Sequence, residues 1–205
     1  MPITDLFWAC PVCGARDALE EHAQGQGKGA RCRGCGSRFR RVHGALIQVT
    51  RPDGTTDTAP AARWLDTLPP LAGLLNDSPI REARATLRTA ASERVIRQSG
   101  RYLNRIEIFG DPVPGTLRLL PDTVSFNPDD ADTHPVAWPF DQLTAIQPSS
   151  HTLQLKARAR PVASLRFQTD SVRLWEELLM LAVSDFYRDT GRGEVVEFQP
   201  RISVR

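Results

Sequence analysis

The residues with the clearest chemistry are four cysteines, which all lie within the first 35 positions. They form two Cys-x-x-Cys pairs, Cys10 with Cys13 and Cys32 with Cys35, separated by eighteen residues. Zinc prefers four tetrahedral ligands, and a two-residue gap lets each pair chelate the ion from one tight turn. Four thiolates close the coordination shell, so no position is left for an activated water. The spacing therefore predicts a structural Zn2+ site held by these four cysteines.

The same four cysteines have three alternative interpretations: disulfides, a redox-active pair and an iron site. Disulfides are disfavoured because the start of the chain, from Met1 to Cys10, lacks a secretory signal. A redox-active pair would need a βαβ context, which neither pair has. Iron can occupy the same four thiolates and stays open as an alternative. The glycines Gly14 and Gly36, which follow each second cysteine, permit the backbone of such turns.

The sequence around the cysteines resembles a zinc ribbon. The resemblance rests on Phe7-Trp8, on the two Cys-x-x-Cys-Gly knuckles and on Phe39, and covers about the first 45 residues. We therefore assign residues 1–50 to a zinc ribbon. The second knuckle is basic, and its arginines are Arg31, Arg33, Arg38, Arg40 and Arg41. They suit phosphate contacts or offset the charge of four thiolates, and we favour charge compensation.

The rest of the sequence gives little indication of a catalytic site. His134 follows an acidic loop with Asp129, Asp130 and Asp132, but a calcium loop numbered from Asp130 would need glycine and glutamate where Pro135 and Asp141 stand. Nucleophile-elbow, phosphate-loop and dinucleotide motifs are missing. We therefore expect a protein without catalytic or organic-cofactor residues, and not an enzyme.

The formal net charge of +2 hides an uneven distribution. Residues 78–105 carry +5, residues 106–205 carry −4, and residues 1–77 carry +1. An anionic partner is therefore expected at the middle segment or the ribbon. Only Lys28 and Lys156 are lysines among the 26 basic residues, which we attribute to a GC-rich bacterial coding sequence. With no membrane span or signal, we expect a cytoplasmic protein, or one peripheral at a membrane.

The middle of the chain, residues 51–112, is predicted as a connecting region with short helices. Thr58-Ala-Pro60 opens a helical stretch whose Trp64 is expected to anchor a small satellite core. Asp77-Ser78-Pro79 is typical of a helix start. The apolar residues that follow fit two periods: Ile80, Ala83, Leu87 and Ala91 recur at helical spacing, whereas residues 85–90 alternate as in a strand. Helix and strand both stay open for residues 78–100.

From Gly115 the pattern changes to short alternating strands followed by a helix. The predicted strands are residues 116–120, 123–126, 136–140, 143–146, 152–156 and 163–167. Thr169, Asp170 and Ser171 supply capping residues for a helix to about Tyr187. Its apolar stripe consists of Val172, Trp175, Leu179, Ala182 and Phe186. We expect Trp175 to be buried against the sheet.

That order resembles a GRAM domain, the variant of the pleckstrin-homology (PH) fold, over residues 113–190. The matching residues are Gly115, Leu117 and Leu119, Val124 and Phe126, Phe140-Asp-Gln-Leu with Ile146, and Leu165 and Phe167 before the helix with Trp175. The resemblance implies a half-open β-barrel capped by one C-terminal helix, in adaptors for lipids or proteins. Lipid-binding members place basic residues around the first hairpin, where this chain offers Arg118 alone, beside Asp122. The fold class is thus α+β: a zinc ribbon, a short linking region, the GRAM/PH-like domain and a C-terminal tail over residues 191–205.

The two resemblances together predict a zinc-binding adaptor. We expect it to dock on a protein partner, with an anionic membrane surface as the alternative, and in one version to serve a lipid-modifying enzyme. A separate hypothesis is nucleic-acid binding through the second knuckle and residues 78–105. Any binding of the full chain to anionic vesicles should need four arginines, Arg84, Arg88, Arg94 and Arg97, because residues 113–190 carry no basic excess.

Overall fold

The structure is a computed structural model that describes residues 2–24, 27–75, 79–99, 101–149, 151–168 and 170–205. The chain is mostly β with a few helices, and it divides into two compact units, Met1–Pro70 and Leu71–Arg205. Within the described residues, no helix combines the length and apolar character needed to cross a membrane.

The first unit is built on a five-stranded antiparallel sheet whose strands follow one another in chain order. Its elements are α1 (Ile3–Leu6), β1 (Leu19–Gln24), β2 (Gly27–Cys32), β3 (Arg38–Arg41), β4 (Leu46–Thr50), β5 (Thr56–Pro60) and α2 (Ala61–Leu65). Aromatic and branched side chains fill its core, chiefly Phe7, Phe39, Ile47, Val49 and Trp64. The Trp64 indole also donates a 3.2 Å hydrogen bond to the Ile47 carbonyl. Trp64 is therefore part of the main core of this unit.

The second unit contains a nearly closed, barrel-like sheet. Its elements are a 3-10 helix (Leu71–Leu74), β6 (Arg81–Gln98), β7 (Arg101–Phe109), β8 (Val113–Leu119), β9 (Thr123–Pro128), β10 (Val136–Pro139), a second 3-10 helix (Phe140–Gln142), β11 (Leu143–Pro148), β12 (Leu153–Ala157), β13 (Ala163–Phe167), α3 (Val172–Asp189), β14 (Val195–Glu197) and β15 (Ser203–Val204). Seven strands lie in the order β10-β9-β8-β6-β13-β12-β11, with every pairing antiparallel. The predicted strands after Gly115 are confirmed.

The middle segment differs from the predicted connecting region. Instead of a linker, it contributes β5 and α2 to the first unit and the strands β6 and β7 to the second. Residues 81–98, for which the sequence left helix and strand open, form the strand β6. This strand pairs with β8 on one side and with β13 on the other. Its inward residues Ala83, Ala85 and Leu87 are buried. The predicted helix start at Asp77 and Ser78 lies outside the described residues.

The C-terminal helix α3 packs its apolar stripe against β11 and β12. Trp175 is fully buried, as predicted, and stacks on Phe167 with ring centroids 5.1 Å apart. The cap is Ser171, whose hydroxyl accepts hydrogen bonds from the backbone N–H groups of Arg173 and Leu174. Beyond the helix, residues 191–205 were predicted as a tail, yet they form the two-stranded sheet of β14 and β15. Pairing between Glu194 and Arg205 accounts for this order, through backbone bonds and an ion pair.

Asp170 precedes this cap and joins α3 to the sheet. Its carboxylate accepts two hydrogen bonds from the Arg81 guanidinium, at 2.7 and 2.8 Å. It also accepts the indole N–H of Trp175 at 2.8 Å. The side chains of Arg81 and Asp170 are only 19% and 9% exposed, so this charged network is largely shielded from water. It ties the first residue of β6 to the start of α3.

Candidate functional site

The four cysteines converge in the first unit as the sequence predicts. Their sulfur atoms all lie within 4.8 Å of one another. Cys10 Sγ is 3.7 Å from Cys35 Sγ, and Cys13 Sγ is 3.7 Å from Cys32 Sγ. Thiolates about 2.3 Å from a tetrahedral ion lie about 3.8 Å apart, so these separations match a four-sulfur site. A disulfide needs sulfurs at about 2.05 Å and does not fit them.

Both cysteine pairs sit in turns of the same construction. Gly14 N–H donates to the Cys10 carbonyl at 2.8 Å, and Gly36 N–H donates to the Cys32 carbonyl at 2.9 Å. Both glycines have positive φ, 73° and 76°, a left-handed conformation that glycine adopts without steric cost. Each turn also brings a backbone N–H toward sulfur, from Val12 to Cys10 and from Cys35 to Cys32. The two turns thus present their thiols with partial positive charge already directed at the sulfurs.

Burial and hydrogen bonds shift the pKa values of the clustered thiols in opposite directions. Burial raises the pKa of the Cys10 thiol and that of the Cys13 thiol, because desolvation disfavours the thiolate. Burial acts in the same sense on Cys35, but the side chain and backbone N–H of Ser37 outweigh it and lower the pKa of Cys35 to about 7. Four clustered thiolates would repel one another without a positive ion, and the donor set of four sulfurs suits zinc or iron.

Ser37 is a member of the site that sequence reasoning missed. Its side chain is fully buried, and its hydroxyl oxygen lies 3.2 Å from Cys35 Sγ. Its carbonyl also accepts the Cys32 N–H at 2.9 Å, which closes the second turn. The available signal was its position directly after the Cys-x-x-Cys-Gly sequence, where a small hydroxyl side chain can reach back to the second cysteine.

The arginines of the second knuckle are spread over the first sheet. Arg33 pairs with Glu20 at 3.2 Å and is thereby partly neutralised. Arg31 and Arg38 lie opposite each other on β2 and β3, and both are exposed. Arg40, exposed on the same face of β3, donates a 2.7 Å hydrogen bond to Gln48. A row of cations therefore lines the solvent face of this sheet, away from buried Phe39.

Of the four arginines predicted to contact anionic surfaces, one is already engaged. Arg84 forms a bidentate ion pair with Asp129, and this guanidinium lowers the pKa of the Asp129 carboxyl below its ordinary value. Arg88, Arg94 and Arg97 are exposed and form no ion pair with any part of the chain that the structure describes. Arg84 therefore stabilises the second unit locally, which leaves three of the four arginines for a partner.

The last two of these arginines lie on a long hairpin, here named the arm. The arm consists of residues 90–98 of β6 and Arg101–Phe109 of β7, which pair with each other in antiparallel register from Ala90 opposite Phe109 to Gln98 opposite Arg101. Large apolar side chains are exposed on it, namely Val95 (42%), Leu103 (54%) and Ile108 (45%). The arm therefore combines three arginines that form no ion pair within the described ranges, Arg94, Arg97 and Arg101, with three exposed apolar side chains.

The acidic loop before His134 forms no comparable site. The Asp130 carboxylate accepts the backbone N–H of Asp132 at 3.1 Å and the Thr133 hydroxyl at 3.3 Å, so it organises the turn itself. Over the described ranges, the only group of three or more potential metal-binding side chains is the four-cysteine cluster.

Comparison with known proteins adds little to these observations. No protein-family model matches the chain, and no curated protein matches it. Among solved structures, the chain is similar to the C-terminal domain of an unknown protein from Leishmania infantum, with 12% sequence identity and a TM-score of 0.37. That similarity covers 55% of this chain and 90% of the other. At this level the likeness supports no argument about fold or function.

Proposed function

We propose that the chain is a non-catalytic adaptor in which a structural zinc ribbon is joined to a GRAM-like, PH-like module that docks on a protein partner. The observation that carries the proposal is the arm, where Arg94, Arg97 and Arg101 form no ion pair within the described ranges and apolar side chains are exposed. A surface of this composition is costly to leave in water and is typical of interaction sites.

The zinc assignment is supported by the donor set and its geometry. Four cysteine sulfurs, with two of their separations at 3.7 Å, suit a tetrahedral ion without an open position. Such a site holds the first unit together and supplies no catalysis. Metal analysis of the purified chain tests it: one zinc per chain is expected, one iron would replace zinc in the proposal, and no metal would end it.

The PH-like assignment is supported by strand order and by the position of α3. Seven antiparallel strands form one nearly closed sheet, and the helix that follows the last of them packs against β11 and β12. A half-open barrel with one capping helix, as the resemblance implies, has this arrangement. The module includes β6, so its N-terminal boundary lies well before residue 113.

A protein partner is favoured over a membrane or a nucleic acid by the composition of the arm. Exposed Val95, Leu103 and Ile108 offer apolar area that phosphate groups cannot cover. Glu93 and Glu107 stand among the arginines, so the arm is not uniformly basic. Mixed apolar and charged surfaces, with arginine enriched, are typical of protein interfaces.

The test compares three forms of the full chain, each expressed in the native host cells. Wild type, the arm variant R94E/R97E/R101E and the control variant R158E/R166E/R201E are each purified after cross-linking. The control arginines are exposed and form no ion pair within the described ranges. A partner retained by wild type and control but lost by the arm variant is expected. Equal retention by the arm variant, or no specific partner with any form, contradicts the proposal.

Nucleic-acid binding through the first unit is a second candidate, because Arg31, Arg38 and Arg40 share one solvent face. Phosphate-driven binding by that face should fall steeply between about 50 and 200 mM salt. Anisotropy of labelled duplex DNA and single-stranded RNA, with wild type and R31E/R38E, tests it. Absence of salt-sensitive binding would remove this candidate.

A further inference from the structure

The outer edge of the arm is a row of main-chain groups without a neighbouring strand. In the described structure β7 pairs with β6 alone, while its other edge has no strand beside it. Nine residues of β7 span roughly 30 Å. Every second residue of such an edge directs its N–H and C=O outward, which makes the edge a template for another strand.

The arm also has an energetic reason to accept a third strand. Ala90 still donates its N–H to the Val162 carbonyl at 2.8 Å, but beyond Ala90 the strand β6 has no strand partner other than β7 among the described residues, so the arm is a two-stranded hairpin. An isolated hairpin of this kind is marginally stable in water, and three strands with an apolar face are the usual minimum for stability. A partner strand would add a second ladder and cover part of Leu103 and Ile108.

The charges on the arm select the chemistry of that strand. Arg94, Arg97 and Arg101 are all exposed and form no ion pair within the described ranges. Carboxylates match the guanidinium fork with two parallel hydrogen bonds, so acidic side chains at alternate positions are the complement. Arg101 lies on β7 and would border the added strand directly, whereas Arg94 and Arg97 lie on β6 and face that strand across β7.

We propose that the free edge of β7 binds an extended acidic segment of a partner protein as a third antiparallel or parallel strand. This inference rests on the proposed adaptor function and specifies how its docking surface works. A nucleic acid has no peptide groups with which to complete the edge. A lipid surface also has no peptide groups, so its headgroups cannot form a regular ladder with the outward N–H and C=O groups of β7.

The probe is a displayed library of random ten-residue peptides, selected on the full zinc-loaded chain. Enrichment of sequences that alternate Asp or Glu with β-branched or aromatic residues is expected. An enriched peptide should bind the arm variant R94E/R97E/R101E at least tenfold more weakly than wild type. Its affinity for R158E/R166E/R201E should change less than twofold.

Hydrogen exchange of β7 amides supplies the readout that distinguishes strand addition from contact between side chains. With the selected peptide bound, outward-facing amides of β7 should exchange at least tenfold more slowly, because they now donate to the added strand. No enrichment, enrichment without acidic residues, or binding without protection of β7 would overturn the inference. Tighter arm-dependent binding of duplex DNA or phosphatidylserine vesicles than of any selected peptide would also overturn it.

Failure of the inference can be told apart from failure of the proposed function. If the cellular partner depends on the arm but leaves β7 amides unprotected, the adaptor function stands and strand addition is wrong. If the partner is retained equally by R94E/R97E/R101E, the docking function is wrong whatever the peptides do.

Discussion

Replacing Asp170 with alanine removes one acceptor that serves two donors in the second unit. The Arg81 guanidinium loses both of its bonds to this carboxylate, and the Trp175 indole loses the 2.8 Å bond from its N–H. Trp175 is fully buried, and no other acceptor for its N–H is found in the described structure. The substitution therefore removes the carboxylate that faces the shielded Arg81 cation, and it leaves the buried indole N–H without an acceptor among the described residues.

The expected loss in the free energy of unfolding depends on how far the two donors, Arg81 and Trp175, are exposed to water. Removing one partner of a buried ion pair costs about 3–5 kcal/mol. Because Arg81 keeps 19% of its side chain exposed, water replaces part of the lost interaction and the lower end applies. An unsatisfied indole adds about 1 kcal/mol, which gives about 4 kcal/mol for Asp170→Ala. Asp170→Asn keeps an oxygen for Trp175 and should cost about 2 kcal/mol.

The assay is urea unfolding of the full chain, monitored by hydrogen exchange of the α3 amides so that the second unit is measured separately. Arg118→Ala is the matched control, since its ion pair with Glu82 is 45% and 46% exposed and should contribute less than about 1 kcal/mol. Equal losses for Asp170→Ala and Arg118→Ala would refute the reasoning. So would an Asp170→Asn variant as unstable as Asp170→Ala, because the indole bond would then count for nothing.

The other predictions concern the metal site and the surface of α3. Removing the metal with a chelator should abolish hydrogen-exchange protection in β1–β5, because structural zinc contributes about 10–16 kcal/mol to such folds. The amides of α3 should stay protected. Protected β1–β5 amides in the metal-free protein would contradict this prediction. Ser37→Ala should weaken metal affinity by roughly tenfold in a chelator competition, since it removes a hydrogen bond to Cys35; unchanged affinity would assign Ser37 to packing alone. Burial raises the pKa of Glu176, so its carboxylate destabilises the fold at neutral pH. Glu176→Gln should raise Tm at pH 7, with the gain lost below the unfolded pKa, where the glutamate is protonated in both states. Glu177→Gln, which removes the negative charge that pairs with Arg173 at 2.7 Å, should instead lower Tm.

The four-cysteine cluster and most strands of the second unit could be predicted because their signals are local. Two residues between cysteines and a following glycine define each turn without reference to the rest of the chain. The alternation of Leu117 with Leu119 and of Leu153 with Leu155 predicts inward faces, and all four leucines are buried. Such patterns carry their structural meaning within a few residues.

β6 could not be predicted because its sequence fits two periods. Ala83 and Leu87 satisfy both helical and strand spacing, and alanine and arginine are good helix formers. The strand is selected by β8 and β13 on either side, and β13 lies far along the chain. The role of Asp170 could not be predicted for the same reason. Its capping pattern is local, but the donor Arg81 lies 89 residues away in the sequence.

The central position of β6 has a consequence for the synthesis of the chain. Ala85 pairs with Phe167, so 82 further residues must be translated before β6 gains its second neighbour. At ordinary elongation rates that interval is about 4 to 16 s, during which one edge of the nascent strand stays bare. Its inward residues Ala83, Ala85 and Leu87 are exposed for the same time. The sheet of the second unit is therefore completed late in synthesis. A chain that stalls before β13 is the form most prone to aggregate.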